Sequence, residues 1–197
     1  MPLLEESGLI LPVGRWVLHE ACRRQQQLQG LAATGCKVAL NVSTQQLMLG
    51  DFVGDVREAL AASGADPALL ELEITESALM ADPGKAEGIL QQLKRLGLGI
   101  AIDDFGTGYS SLGYLHRLSA DKLKIDRSFV SDVLGDRDDA LICASIIQLA
   151  HSLGLSVVAE GVETEAQRHW LAARGCEQMQ GYHFARPIPF ADAEAEG

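Results

Sequence analysis

Residues Gly84–Asp104, GKAEGILQQLKRLGLGIAIDD, contain in one stretch the unit from which the rest of the chain is built. Gly84–Leu96 has helical periodicity, Gly97 supplies a left-handed C-cap, and Gly99–Asp103 is a short apolar run that ends on two acids. The same alternation continues on both sides. Strand-like runs, most of them rich in Val, Ile and Leu, occur at Lys37–Val42, Leu69–Thr75, Gly99–Asp103, Lys122–Asp126, Ser156–Glu160 and Glu177–Tyr182. Helical patterns occupy Pro12–Gly30, Phe52–Ser63, Gly84–Leu96, Ser110–Arg117, Asp139–Leu153 and Glu165–Arg174, and several stop at a glycine, as at Gly64, Gly97, Gly154 and Gly175.

Strands and helices alternating at this spacing read as parallel β/α units with right-handed crossovers. A closed (β/α) barrel has eight strands and typically about 250 residues. This chain has six strand-like runs in 197 residues and opens on a helix. The fold class expected is therefore α/β, a TIM-type (β/α) barrel that is N-terminally truncated, with about six of eight strands present. Residues 1–190 form the domain, partial at its N-terminus, and 191–197 an acidic tail.

Hydrophobic residues make up 47% and aromatics 5%, so aliphatic side chains must fill the core. Lys plus Arg total 16 against 27 Asp plus Glu, a net charge of -11, which opposes binding to a nucleic-acid backbone or an anionic membrane surface. No DNA, RNA or membrane contact is expected of this segment. An anionic substrate remains compatible where a cation stands between it and the carboxylates. Cys22, Cys36, Cys143 and Cys176 form no C-x-x-C pair and are read as reduced, mostly buried thiols in a reducing compartment. No basic n-region follows Met1 and no run of about 18 apolar residues occurs, so neither a signal peptide nor a membrane span is read.

The strands end alike. Asn41 closes the first; Glu71 and Glu73 share a face of the second, with Glu76 beyond; Asp103 and Asp104 close the third. Lys124 and Asp126 share a face of the fourth, Glu160 closes the fifth with Glu163 three further on, and Gln180 lies in the sixth. A polar residue at one strand end is ordinarily where the chain meets water. Six at the same C-terminal end coincide with the place where barrel enzymes build their sites. Clustered carboxylates repel one another unless a cation joins them, and oxygen donors without Cys suit Mg²⁺, Mn²⁺ or Ca²⁺. Lys124 and Gln180 add a cation and an amide for a polarised water or an anionic oxygen. In Asp103-Asp104-Phe105-Gly106-Thr107-Gly108-Tyr109-Ser110-Ser111 the acids would repel bare phosphate, so the segment reads as a metal-binding strand end joined to a mobile loop.

These residues resemble the EAL domain, the cyclic di-GMP phosphodiesterase family of bacterial signalling. The resemblance rests on Asn41-Val42-Ser43, Glu71-Leu72-Glu73-Ile74-Thr75-Glu76-Ser77, Asp103 to Gly108, Leu123-Lys124-Ile125-Asp126, Val158-Ala159-Glu160-Gly161-Val162-Glu163-Thr164 and Gln180-Gly181-Tyr182, in the family's order. It implies a modified TIM barrel with one antiparallel strand. It further implies hydrolysis of cyclic di-GMP to linear pGpG with Mg²⁺ or Mn²⁺, two ions in all. Asn41, Glu73, Asp103 and Asp104 would be metal ligands, and Glu160 would support the second metal or its water. Lys124 would orient and help deprotonate the attacking water, and Gln180 would assist. Glu76 would hold the Asp103–Ser111 loop and Glu163 would help shape site and loop. The setting implied is cytoplasmic, in a longer parent with upstream sensory or GGDEF-type domains, the parent itself membrane-anchored or not. The family's helix after the fourth strand helps form a homodimer; Ile142, Ile146 and Ile147 in Asp139–Leu153 would serve, and core packing explains them equally well.

The family's naming Glu-Ala-Leu followed two residues later by Arg is missing; Glu58-Ala59-Leu60 falls on a helix. The enzyme reading therefore has a rival, a catalytically inactive EAL-type receptor or protein-interaction module. An enolase-type barrel would carry a different pattern of acids. His19, His116, His151, His169 and His183 share no ligand spacing, Trp16 and Trp170 read as core, and Asp136-Arg137-Asp138-Asp139 reads as a solvated helix start.

Overall fold

In the computed structural model of the protein, residues 2–31, 37–107 and 112–190 are described. The chain divides into two compact units, Met1–Ile100 with Arg117–Ser119 and Pro189–Gly197, and Ala101–His116 with Ala120–Ile188.

The first unit runs α1 (Pro2–Glu6), α2 (Ile10–Leu31), β1 (Val38–Val42), α3 (Thr44–Leu49), α4 (Phe52–Ser63), β2 (Leu70–Thr75), α5 (Glu76–Ala81) and α6 (Pro83–Arg95). β1 and β2 pair in parallel with Asn41 opposite Glu73. Leu40, Val42, Leu72 and Ile74, on the alternate positions, are buried. Local chemistry sets the boundaries. Ser43 and Gln46 form a capping box on α3, Asp51 caps α4, and Asp82 caps α6 with Pro83 in its first turn. Gly64 ends α4 at φ 69°, as its sequence position requires.

The stripe that α2 buries is Ile10, Leu18, Cys22 and Gln25. Trp16 lies off that stripe and is 66% exposed, so the expectation that it fills the core is corrected.

The second unit takes up β3 (Gly99–Phe105) from Ala101 and continues through α7 (Leu112–Leu115), β4 (Lys122–Ile125), α8 (Arg127–Ser131), α9 (Arg137–Ser152), β5 (Ser156–Ala159), α10 (Glu165–Ala172) and β6 (Gln178–Met179). β3–β4, β4–β5 and β5–β6 all pair in parallel, and the antiparallel strand that the resemblance implies is not among these pairings. Asp136 caps α9 through the backbone N–H groups of Asp138 and Asp139. Glu177 accepts from Val157 N at 2.9 Å and meets His151 at 2.8 Å, tying α9 to the start of β5.

The sixth strand is shorter than expected, because Gly181 at φ 153° breaks it; a side chain there would meet the Val162 carbonyl. Of the helix expected over Ser110–Arg117, the described residues hold α7, and residues 108–111 and the tail 191–197 lie outside the described residues. Cys22, Cys143 and Cys176 are free and buried, and Cys36 also lies outside. Burial pushes the Cys143 thiol up to about 12 and Cys176 up to about 11, and raises Cys22 as well. No helix of the described residues is long and apolar enough to cross a membrane.

Leu123, fully buried in β4, and Trp16 mark two extremes. Leu123→Ala is expected to cost about 2–5 kcal/mol in urea unfolding, whereas Trp16→Ser stays within about 0.5 kcal/mol.

Candidate functional site

In the second unit the site is built on an irregularity. Along β3 and β4, Ile102 pairs with Leu123 and Phe105 with Ile125, so Asp103 and Asp104 together oppose the single residue Lys124. A regular strand would send neighbouring side chains to opposite faces, and a bulge breaks that alternation. Asp104 accordingly sits at φ 53°, the left-handed region, and is the sole non-glycine residue at positive φ among those described. Its N–H donates to Asp103 Oδ1 at 3.1 Å, and Thr107 Oγ1 donates to its carbonyl at 2.8 Å. Gly106 follows at φ 98°, where an added Cβ would lie 3.1 Å from Ile146 Cδ1 and 3.2 Å from Phe129.

Lys124 is 3% exposed. Its Nζ lies 2.6 Å from Glu160 Oε1 and 3.1 Å from Asp103 Oδ1. Glu160 follows β5 directly, and the same Oε1 accepts from Gln180 Nε2 at 2.6 Å. The backbone fixes these carriers. Glu160 N donates to Ile125 O at 3.1 Å, Gln180 N to Ala159 O at 2.9 Å, and Val162 N to Gln180 O at 3.0 Å. Asp103, Lys124, Glu160 and Gln180 are thus brought into one connected cluster. Asp126, just beyond β4, caps α8. Burial first, and then the neighbouring Asp103 and Asp126 carboxylates, push Asp104 above the usual carboxylate range against the pull of Lys124.

Glu163 pairs with Arg127 at 2.8 Å. The Arg127 stem lies directly on Gly161, at φ 70°, where a Cβ would fall 2.3 Å from Arg127 Cγ. Arg127, Glu160, Glu163, Gln180, Tyr182 and Arg186 line an open cleft. Arg127 escaped the sequence reading; its only signal was its place after Lys124-Ile125-Asp126.

In the first unit, Asn41 and Glu73 are register partners at the C-terminal ends of β1 and β2. Glu71, two residues back, is buried and packs against Gly99, where a Cβ would lie 3.3 Å from Glu71 Oε2. Glu76 is buried in the first turn of α5, which Thr75 caps; part of the loop it was expected to hold lies outside the described residues. Among the described residues no three His, Cys, Asp or Glu side chains form a group that could hold a metal ion. Asp103 and Glu160 are drawn onto the Lys124 ammonium instead.

Because its folded-state pKa is raised, ionised Asp104 destabilises the fold, and that penalty is present above the ordinary carboxylate range and absent below it. Asp104→Asn is therefore expected to raise the Tm of chelator-treated protein at pH 7, as read by thermal unfolding of the two proteins side by side. The gain should vanish below about pH 4.

The profile of the EAL domain matches residues 1–187. The chain is 47% identical over 189 residues to the bifunctional diguanylate cyclase/cyclic di-GMP phosphodiesterase MucR of Pseudomonas aeruginosa, covering 96% of this chain and 28% of MucR. It is 44% identical over 192 residues to the cyclic di-GMP phosphodiesterase NbdA of the same organism, covering 98% of this chain and 24% of NbdA. It therefore spans about a quarter of the length of these curated relatives. The c-di-GMP complex of the PaMucR phosphodiesterase matches with a TM-score of 0.94 at 46% identity, over 98% of this chain and 78% of that one. The manganese/cy-diGMP complex of Klebsiella pneumoniae BlrP1 matches with a TM-score of 0.77 at 32% identity, over 90% of this chain and 44% of that one. The parallel β/α architecture is that of the TIM-type barrel class. The chain belongs to the EAL domain family.

Proposed function

We propose that this chain is a cyclic di-GMP phosphodiesterase domain that opens the cyclic dinucleotide to linear pGpG in bacterial second-messenger signalling. The observation that carries the reading is the cluster of buried Lys124 and Asp103 with half-buried Glu160 at the strand ends of an EAL-type fold. The relatives support it: MucR and NbdA are named as phosphodiesterases, and PaMucR is described with c-di-GMP bound.

The donor chemistry fits a hard divalent cation. The candidate ligands Asn41, Glu73, Asp103 and Asp104, with Glu160, offer only oxygen atoms, and the crowding of carboxylates around Asp104 is the kind a cation relieves. Mn²⁺ in the BlrP1 complex supports divalent metal use, and Mg²⁺ or Mn²⁺, two ions, is the proposed requirement. When bound, such ions supply Lewis-acid polarisation of a phosphoryl oxygen and of a water. Within the chain, Lys124 orients the attacking water and its positive charge favours loss of the water's proton, Glu160 holds Lys124 in place, and Gln180 fixes Glu160. Glu163 and Arg127 shape the rim, and Glu76 supports the loop after β3. The proposed setting is cytoplasmic, in a parent that carries a sensory or GGDEF-type domain as MucR's bifunctional description suggests, with a homodimer as its assembly.

Purified chain with Mn²⁺ is expected to release pGpG from cyclic di-GMP, and Glu73→Ala or Lys124→Met to lower kcat by about 100-fold or more. A folded chain that binds cyclic di-GMP without turnover would assign the receptor reading instead.

A further inference from the structure

Gln167 is a buried amide with every hydrogen-bonding capacity in use. Its Oε1 accepts from Glu163 N and from Thr164 N, both at 2.9 Å. Its Nε2 donates to Val130 O at 3.2 Å and to Ser131 O at 3.0 Å. The two accepted bonds belong to the turn between Glu160 and α10. The two donated bonds end on the last residues of α8, whose C-terminal carbonyls have no partner within the helix. One side chain therefore joins the segment after β5, which carries Glu160, to the helix after β4, which begins three residues past Lys124.

Lys124 and Glu160 meet at 2.6 Å, a contact that tolerates little drift between their carriers. Backbone bonds hold the start and middle of the turn, through Glu160 N to Ile125 O, Val162 N to Gln180 O and His183 N to Val162 O. Arg127 adds an exposed bridge to Glu163 over Gly161. Gln167 supplies the buried link. We propose that Gln167 is a positioning residue of the phosphodiesterase site, setting the distance between Glu160 and Lys124 by clamping the β5–α10 turn to the end of α8. The inference rests on the function proposed above.

Two variants separate its halves. Gln167→Glu keeps the acceptors for Glu163 N and Thr164 N but turns a carboxylate toward two carbonyls. Gln167→Leu removes both halves at similar volume. In folded protein, checked by circular dichroism and Tm, both are expected to lower kcat for cyclic di-GMP about tenfold or more with KM changed less than about twofold. In parallel, the side-chain carboxylate ¹³C signal of Glu160, assigned with Glu160→Gln, should move in both variants. That signal is readable in the full chain whether or not it turns over, so an inactive parent would refute the proposed function without deciding the role of Gln167. A folded Gln167→Leu protein with an unmoved Glu160 signal, or with unchanged kcat in an active parent, overturns the proposal.

Discussion

An ammonium group removed from water needs carboxylates around it, and the carboxylates so recruited are no longer free to place themselves elsewhere. Lys124 imposes this constraint. Asp103 from β3 and Glu160 from the end of β5 both close on its Nζ, so three neighbouring strands are held in register by charge as well as by their ladders. Deleting one partner of such a buried group typically costs about 3–5 kcal/mol, because the remaining charge is left uncompensated. The arrangement is thus a part of the fold's stability and also its chemical centre.

Around this pair the backbone departs from regularity only where it must. The bulge at Asp103 and Asp104 gives one lysine two opposing acids, and the left-handed residue that makes this possible is an aspartate, among the residue types that tolerate the conformation best. A side chain at Gly161 or Gly181 would collide with Arg127 or the Val162 carbonyl, and one at Gly106 would crowd Ile146 and Phe129. These glycines let the turns that follow the strands close tightly over the ends carrying the functional groups.

Much of this was legible in the sequence. Phe52–Ser63 matches the helix to the residue, with Gly64 signalling its end, and Asp51 caps its start in the structure. Five of the six strands were legible because each is an aliphatic run with a polar end, and the sixth from its place in the alternation. Five short elements were not read: α1, α3, α5, α8 and the 3-10 turn Pro67–Leu69. Each is six residues or fewer, too short to show periodicity, and α3, α5, α8 and the turn are set by the caps Ser43, Thr75, Asp126 and Asp66. The candidate site residues were legible as types at strand ends. The bulge was not, since nothing in Ile102-Asp103-Asp104-Phe105 states that the ladder slips there. Trp16 misled because a large aromatic in an apolar helix suggests burial, whereas its position is off the stripe that Leu18 and Cys22 define.

The buried thiols have a use of their own. Alkylating reagents attack the thiolate, and these thiols are held in their neutral form inside the chain. Modification must therefore wait for the structure to open. Cys22 lies in the first unit, and Cys143 and Cys176 lie in the second. Once Cys36 is replaced, a mass spectrum taken during slow labelling distinguishes molecules carrying one tag from those carrying two. The protein thereby contains a built-in clock for each half, reporting which gives way first and whether both yield in a single cooperative event.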